Sequence, residues 1–142
     1  MDLALVEEAT RRSGVVWLRT GAAAPARPVW HLWHAGAAHL VAGGGEQALD
    51  GVGDGDRVLV VVRSRQRQAD RVVQWWADVR RLRPGTPAWD EVVPLLAARR
   101  LNAPDAAALP GRWAAASTVL SLVPAGGLQP VDRTPGRAAG RD

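Results

Sequence analysis

The stretch Arg27-Pro-Val-Trp-His-Leu-Trp-His34, followed by Ala35-Gly36-Ala37 and then His39-Leu-Val-Ala42, decides how this chain is read. Two short apolar, β-rich runs flank a small-residue turn that contains glycine, which is the pattern of a hairpin. With Gly36 and Ala37 as the turn, His34 is expected to face His39, Trp33 to face Leu40 and Leu32 to face Val41. Side chains alternate along a strand, so Trp30, Leu32 and His34 share one face while Val29, His31 and Trp33 share the other. Large apolar groups on both faces call for burial on both sides, as in a barrel wall at an interface.

Upstream, residues 2–12 read as a helix capped by Asp2 and stopped by Ser13-Gly14, with Leu3, Val6 and Ala9 or Thr10 as a narrow apolar stripe. Val15-Val-Trp-Leu-Arg-Thr20 reads as the first strand, and a loop through Pro25 leads into the hairpin. Downstream lies the glycine-dense segment 43–56, with a short helical turn expected around Glu46 to Asp50. Arg57-Val-Leu-Val-Val-Val-Arg63 is an unbroken β-branched strand, residues 64–70 a polar turn, and residues 71–82 a long returning strand. Thr86-Pro87 starts a helix with a cap and a proline at its first position, and Trp89, Val92, Val93, Leu96 and Ala97 fall on one face. Pro94 is expected to kink it, and Asn102 to Asp105 to break it. A short helix near Arg112 to Ala116 precedes a last strand, residues 118–123. Residues 1–123 thus form one domain, and residues 124–142, rich in Gly, Pro and Arg, read as a disordered tail.

Six strands joined mostly by short turns pair antiparallel. The expected fold is therefore mainly β with minor α, a six-stranded antiparallel barrel or rolled sheet with flanking helices.

The 142 residues include no Lys, Ile, Phe, Tyr or Cys, but 18 Arg and 7 Trp, with a formal net charge of +4. A GC-rich coding sequence accounts for that choice of residues. Without cysteine there is no disulfide framework, thiolate nucleophile or thiolate metal site. Glu7 and Glu8 stand where a signal peptide needs an apolar run, and no apolar stretch is long enough to span a bilayer, so a cytoplasmic protein without membrane contact is expected.

The order of elements, with a Pro-Val-Trp strand second and a helix before the last strand, resembles the split-barrel flavin-binding superfamily of pyridoxamine 5′-phosphate oxidases and deazaflavin-dependent reductases. The likeness covers roughly residues 3–123. It is carried by Arg27-Pro-Val-Trp-His-Leu-Trp-His-Ala-Gly36, and by Arg99-Arg-Leu-Asn-Ala-Pro-Asp105 with Arg112-Trp113 and Ser117-Thr-Val-Leu120, which look like an uncharacterised bacterial branch. The resemblance implies a split β-barrel homodimer, with FMN or a deazaflavin held in a groove between two barrels and an oxidoreductase activity of unnamed substrate. It places Arg27, Trp30 and His31 against the ring, Gly43, Gly44, Gly45 and Gln47 near the phosphate, and Arg63 and Arg65 as supplementary charge. One departure stands out. Glu46 sits where the family usually has a basic residue, and no cation follows in the chain before Arg57. Three glycines could offer backbone N–H groups as an anion nest, which is weaker than a site with a cation. A second reading is therefore a cofactor-free dimer with a binding or structural role.

Other residue clusters carry weaker signals. His34 and His39 can be neighbours, but His31 points the other way, so a third metal ligand is lacking and no metal is expected. Asp54-Gly-Asp56 is half a calcium loop and reads as a turn. Without Phe or Tyr, most tryptophans must serve packing, and Trp30, Trp33 and Trp113 are the candidates for ring contact. Between Arg63 and Arg83 lie seven Arg and two Asp. That segment reads first as a solvated hairpin end, second as an anion site, and third as an Arg-mediated nucleic-acid surface, against which stands the lack of any recognition motif. No catalytic triad, carboxylate pair, P-loop or dinucleotide fingerprint can be assembled.

Overall fold

In the computed structural model the described residues are 2–21, 24–66, 69–100 and 105–125, with the backbone alone described for residues 64–66 and 69–71. Of the tail expected at 124–142 only Pro124 and Ala125 are among them, and of the break expected at Asn102 to Asp105 only Asp105 is.

Helix α1 (Leu3–Arg12) is followed by strands β1 (Val15–Arg19), β2 (Arg27–Trp30), β3 (Leu32–His34), β4 (Ala37–Ala42), β5 (Arg57–Gln66) and β6 (Ala69–Leu82). Helix α2 (Pro87–Arg99), a 3-10 turn (Ala106–Ala108), helix α3 (Leu109–Ala116) and strand β7 (Thr118–Pro124) complete the domain. The strands form one antiparallel sheet in the order β2-β1-β5-β6-β7-β4-β3. The first and last strands of that order are consecutive in the chain, so the sheet curls into a nearly closed barrel. The mainly β barrel matches expectation, with seven strands rather than six.

The extra strand arises at His31, where the 27–34 run divides into β2 and β3. Ladder bonds stop there because His31 and Trp30 turn to other partners, described below. The alternation of faces nonetheless holds across the break. Val29 and Trp33 join the barrel interior with Val16, Leu40 and Trp75, while Trp30 and Leu32 face an outer layer of α2 and α3. The hairpin register differs from expectation. Ala35 and Gly36, both at positive φ (52° and 82°), make the turn, so His34 pairs with Ala37, Trp33 with Ala38 and Leu32 with His39. Two residues at positive φ give a turn whose twist matches the flanking strands, and this outweighs the strain of a left-handed alanine.

The β5–β6 ladder runs from Arg57↔Asp78 to Gln66↔Ala69, so the strands continue through most of the segment expected as a polar turn. No helical turn forms at 46–50; Gln47 instead bridges to Ala42 in parallel. Asp56 accepts from the Gly53 N–H (2.8 Å) and Asp54 from the Arg81 N–H (2.7 Å), which makes that segment a turn.

The helices follow their sequence signals. Asp2 caps α1 through the Leu5 N–H (3.1 Å), and α1 sets Val6 and Thr10 onto the barrel interior, where Thr10 Oγ1 accepts from Trp75 Nε1 (3.1 Å). Thr86 caps α2 through the Trp89 N–H (3.2 Å). Helix α2 runs unbroken through Pro94, which is exposed, so water can satisfy the carbonyl that the proline leaves without a donor. Trp89, Val92, Val93 and Leu96 of α2 pack with Leu109 and Trp113 of α3 over Val41 and Val119. Strand β4, lined by the interior on one side and these helices on the other, is buried along its whole length.

Candidate functional site

Helices α2 and α3 cover the outer face of β4, β7 and the β2–β3 passage, with Leu82 at the end of β6 packed against them. Trp30, paired with Val15 of β1, lies at the boundary of that cover. A cleft of about 420 Å3 opens here, lined by Gly14, Trp30, Arg99 and Arg100, which is a small-molecule size. The two arginines come from the C-terminal end of α2. The cleft therefore combines an aromatic wall with two guanidinium groups, a chemistry suited to a planar ligand carrying negative charge.

Trp30 is held by Gln47. The Gln47 side-chain oxygen accepts from the Trp30 N–H (2.6 Å), and its amide nitrogen donates to the carbonyls of Trp30 (3.2 Å) and Val41 (3.2 Å). One side chain thus replaces a missing strand neighbour where β2 ends. Gly43, Gly44 and Gly45 all have positive φ (76°, 61°, 88°) and form a tight loop, in which Gly43 N–H donates to Gln47 O (2.8 Å) and Glu46 N–H to Gly43 O (3.0 Å). An anion nest uses successive N–H groups in alternating right- and left-handed residues. This loop is left-handed throughout and spends two of its N–H groups on itself. As a phosphate cradle it does not fit. Ser117 Oγ also donates to Gly43 O (3.0 Å), fixing the loop to the start of β7.

Glu46 has a cation after all, from far along the chain. Its carboxylate, with a side chain only 4% exposed, accepts from Arg100 Nε (2.9 Å) and from Trp113 Nε1 (3.1 Å). Trp113 is thereby a buried partner of Glu46 in the outer core, and Trp33 packs edge-on against Trp75 in the barrel interior, with ring centroids 6.1 Å apart.

His31 is 1% exposed. Its Nε2 lies 2.7 Å from the Ser13 carbonyl, which can only accept, so Nε2 carries the proton and Nδ1 is left as a buried acceptor without a partner among the described residues. Burial pushes its pKa down to about 4, the Arg99 charge acting the same way and the Ser13 bond opposing. His39 donates to His34 O (2.9 Å) and accepts from Ser121 Oγ (2.7 Å); burial also lowers its pKa. His34 meets Glu91 of α2 (2.6 Å), clipping the hairpin to that helix.

Of the other sequence candidates, Arg27 reaches the Asp50 carbonyl (3.3 Å). Arg63 stacks over Trp17 (5.8 Å to the ring centroid) and lines a second hollow of about 250 Å3 with Arg19, Val72 and Gln74. Arg65 lies on β5 opposite Asp70, its side chain outside the described residues. The Arg-rich segment is not one stripe. Arg63 sits towards one end of the β5–β6 ladder, and Arg80 and Arg81 lie beyond the other, past the Arg57–Asp78 ion pair (3.0 Å). The structure thus gathers Trp30, Gln47 and the glycine loop, keeps His31 buried beside them, and sets Arg27 and Arg63 at contacts of their own. Sequence reading missed Gly14, Arg99 and Arg100 as cleft residues; the paired arginines at a helix C-terminus were the available signal.

The chain shares the split-barrel fold. It superimposes on the crystal structure of HutZ, the heme storage protein from Vibrio cholerae, with a TM-score of 0.59 and 12% identity, covering 92% of this chain and 96% of that one. At that identity the likeness establishes architecture alone. By sequence, the chain matches no family model and no curated protein. Among the described residues, no helix is long and apolar enough to cross a membrane.

Proposed function

We propose that this split barrel binds a planar, anionic cofactor of the flavin class, FMN or a deazaflavin, in the cleft at Trp30, and serves as an oxidoreductase. The observation that carries the reading is the meeting of Trp30 with Arg99 and Arg100 in a single cleft. When bound, such a cofactor supplies hydride transfer, and the chain's part is to hold it. Trp30 offers the ring a face, Gln47 fixes the backbone of Trp30, and Arg99 offers the anion a charge-assisted hydrogen bond. Heme, suggested by the likeness to a heme storage protein, fits less well. His39 is buried with both nitrogens committed, His31 is 1% exposed with Nε2 bonded to Ser13 and Nδ1 enclosed, and His34 is engaged by Glu91, so no imidazole stands open to a metal at the cleft.

The working unit in this reading is a homodimer. The outer face of β1, β5 and β6 exposes Val15 (44%) and Val72 (36%) beside Trp17 and carries Gln74, whose side-chain oxygen is buried without a partner among the described residues. A second copy would cover this apolar face.

Titration with FMN and with the deazaflavin coenzyme, followed by quenching of tryptophan fluorescence, tests the proposal. Saturable binding in the micromolar range or tighter is expected for one of them, weakened about tenfold by Arg99→Ala. Failure of both to bind refutes it and favours the second reading, a cofactor-free dimer. That alternative is supported by the self-closed glycine loop and by the Glu46 carboxylate on Arg100.

A further inference from the structure

The charge of the cleft is governed by a residue behind its wall. Arg99 and Arg100 line the cleft, while Glu46, nearly buried, engages Nε of Arg100 and the indole N–H of Trp113. We propose that Glu46 is a specificity-determining residue, a fixed counter-charge that turns the cleft away from phosphate dianions and towards ligands bearing a single negative charge, a carboxylate or a phosphodiester. The inference rests on the flavin-class reading for the body of the ligand.

Charge counting carries the first step. Among the described residues, two guanidinium groups and one carboxylate give this corner one net positive charge, and a partly desolvated site favours a ligand that matches it. A dianion would bring its second charge up against Arg100 already neutralised by Glu46. Rigidity carries the second step, because Glu46 could escape the effect only by swinging out. Its loop is wedged at Gly44, where a Cβ would collide with the Ala116 carbonyl oxygen and lie 2.6 Å from Ser117 Oγ. The loop is also tied down by the Ser117–Gly43 and Gly43–Gln47 hydrogen bonds, and Gln47, the next residue, is locked to Trp30. The carboxylate is thus built into the protein rather than placed at its surface.

The test uses the full chain and three flavins that differ only in the side-chain terminus: riboflavin (neutral), a 10-carboxyalkyl flavin (one charge) and FMN (close to two charges). In the wild type the carboxyalkyl flavin should bind tightest, with FMN within about threefold of riboflavin. Glu46→Gln should raise FMN affinity relative to riboflavin on the order of tenfold, and Glu46→Asp should keep the wild-type order. FMN as the tightest ligand of the wild type, or an unchanged order in Glu46→Gln, overturns the proposal. Should Glu46→Gln not fold, the wild-type order alone decides. If neither these flavins nor the deazaflavin coenzyme bind, the proposed function falls, and the counter-charge is tested separately with inorganic phosphate. Phosphate should raise the thermal midpoint of Glu46→Gln but not of the wild type, and an equal rise in both overturns it.

Discussion

Replacing Gln47 by alanine removes three hydrogen bonds at one stroke and leaves the Trp30 N–H and two carbonyls without their partner. Each such bond is worth about 1 kcal/mol net, and a stranded, partly buried backbone group adds to the loss. Since these groups are only half-buried, water recovers some of it, and the expected destabilisation is about 3 kcal/mol. For a domain of this size that lowers the thermal midpoint by about 10 °C. Urea unfolding followed by tryptophan fluorescence measures the change, with Gln47→Glu as the discriminating companion. Glutamate keeps the shape and one acceptor, but sets a carboxylate against two carbonyl oxygens that need a donor. A Gln47→Glu protein as stable as the wild type would show that Gln47 acts by packing and not through its hydrogen bonds.

The other expectations are independent of this one. Gly44→Ala should cost about 2 kcal/mol or more, from the left-handed φ and the collision with Ala116, whereas Gly45→Ala meets open space and should cost about 1 kcal/mol; urea midpoints compare them. Because His31 is held neutral in the fold, its pKa near 4 against 6.5 when unfolded makes the unfolded chain bind more protons between those values. Stability should therefore be full above pH 6.5 and fall by about 3 kcal/mol as pH drops towards 4, with a shallower slope in His31→Gln. His39, also lowered, adds in the same direction. Thr10→Val strands the buried Trp75 indole N–H and should cost about 1–2 kcal/mol in the same unfolding assay.

Local chemistry made much of this fold legible in the sequence. Thr86-Pro87 begins α2, Asp2 caps α1, the β-branched run makes β5, and the two apolar faces of the 27–34 stretch each found a layer. What escaped was non-local. The division at His31 depends on Ser13 and Gln47, each more than a dozen residues away, and the partner of Glu46 is separated from it by 54 positions. The hairpin register turned on whether an alanine would accept a left-handed φ, which composition alone does not say. The candidate site divided in the same way. Trp30 was visible as a large aromatic on a covered strand, but Arg99 and Arg100 became its neighbours only when α2 folded back across the sheet.

An open sheet can be peeled from whichever edge is weaker, one strand at a time. Here the two ends of the strand order, β2 and β3, are separated along the backbone by His31 alone. The barrel is a hoop whose clasp is covalent, so neither end can fray without dragging the other. Amide hydrogens in β2 and β3 should consequently exchange through one shared opening, with matching protection, although the strands sit at opposite ends of the hydrogen-bond ladder.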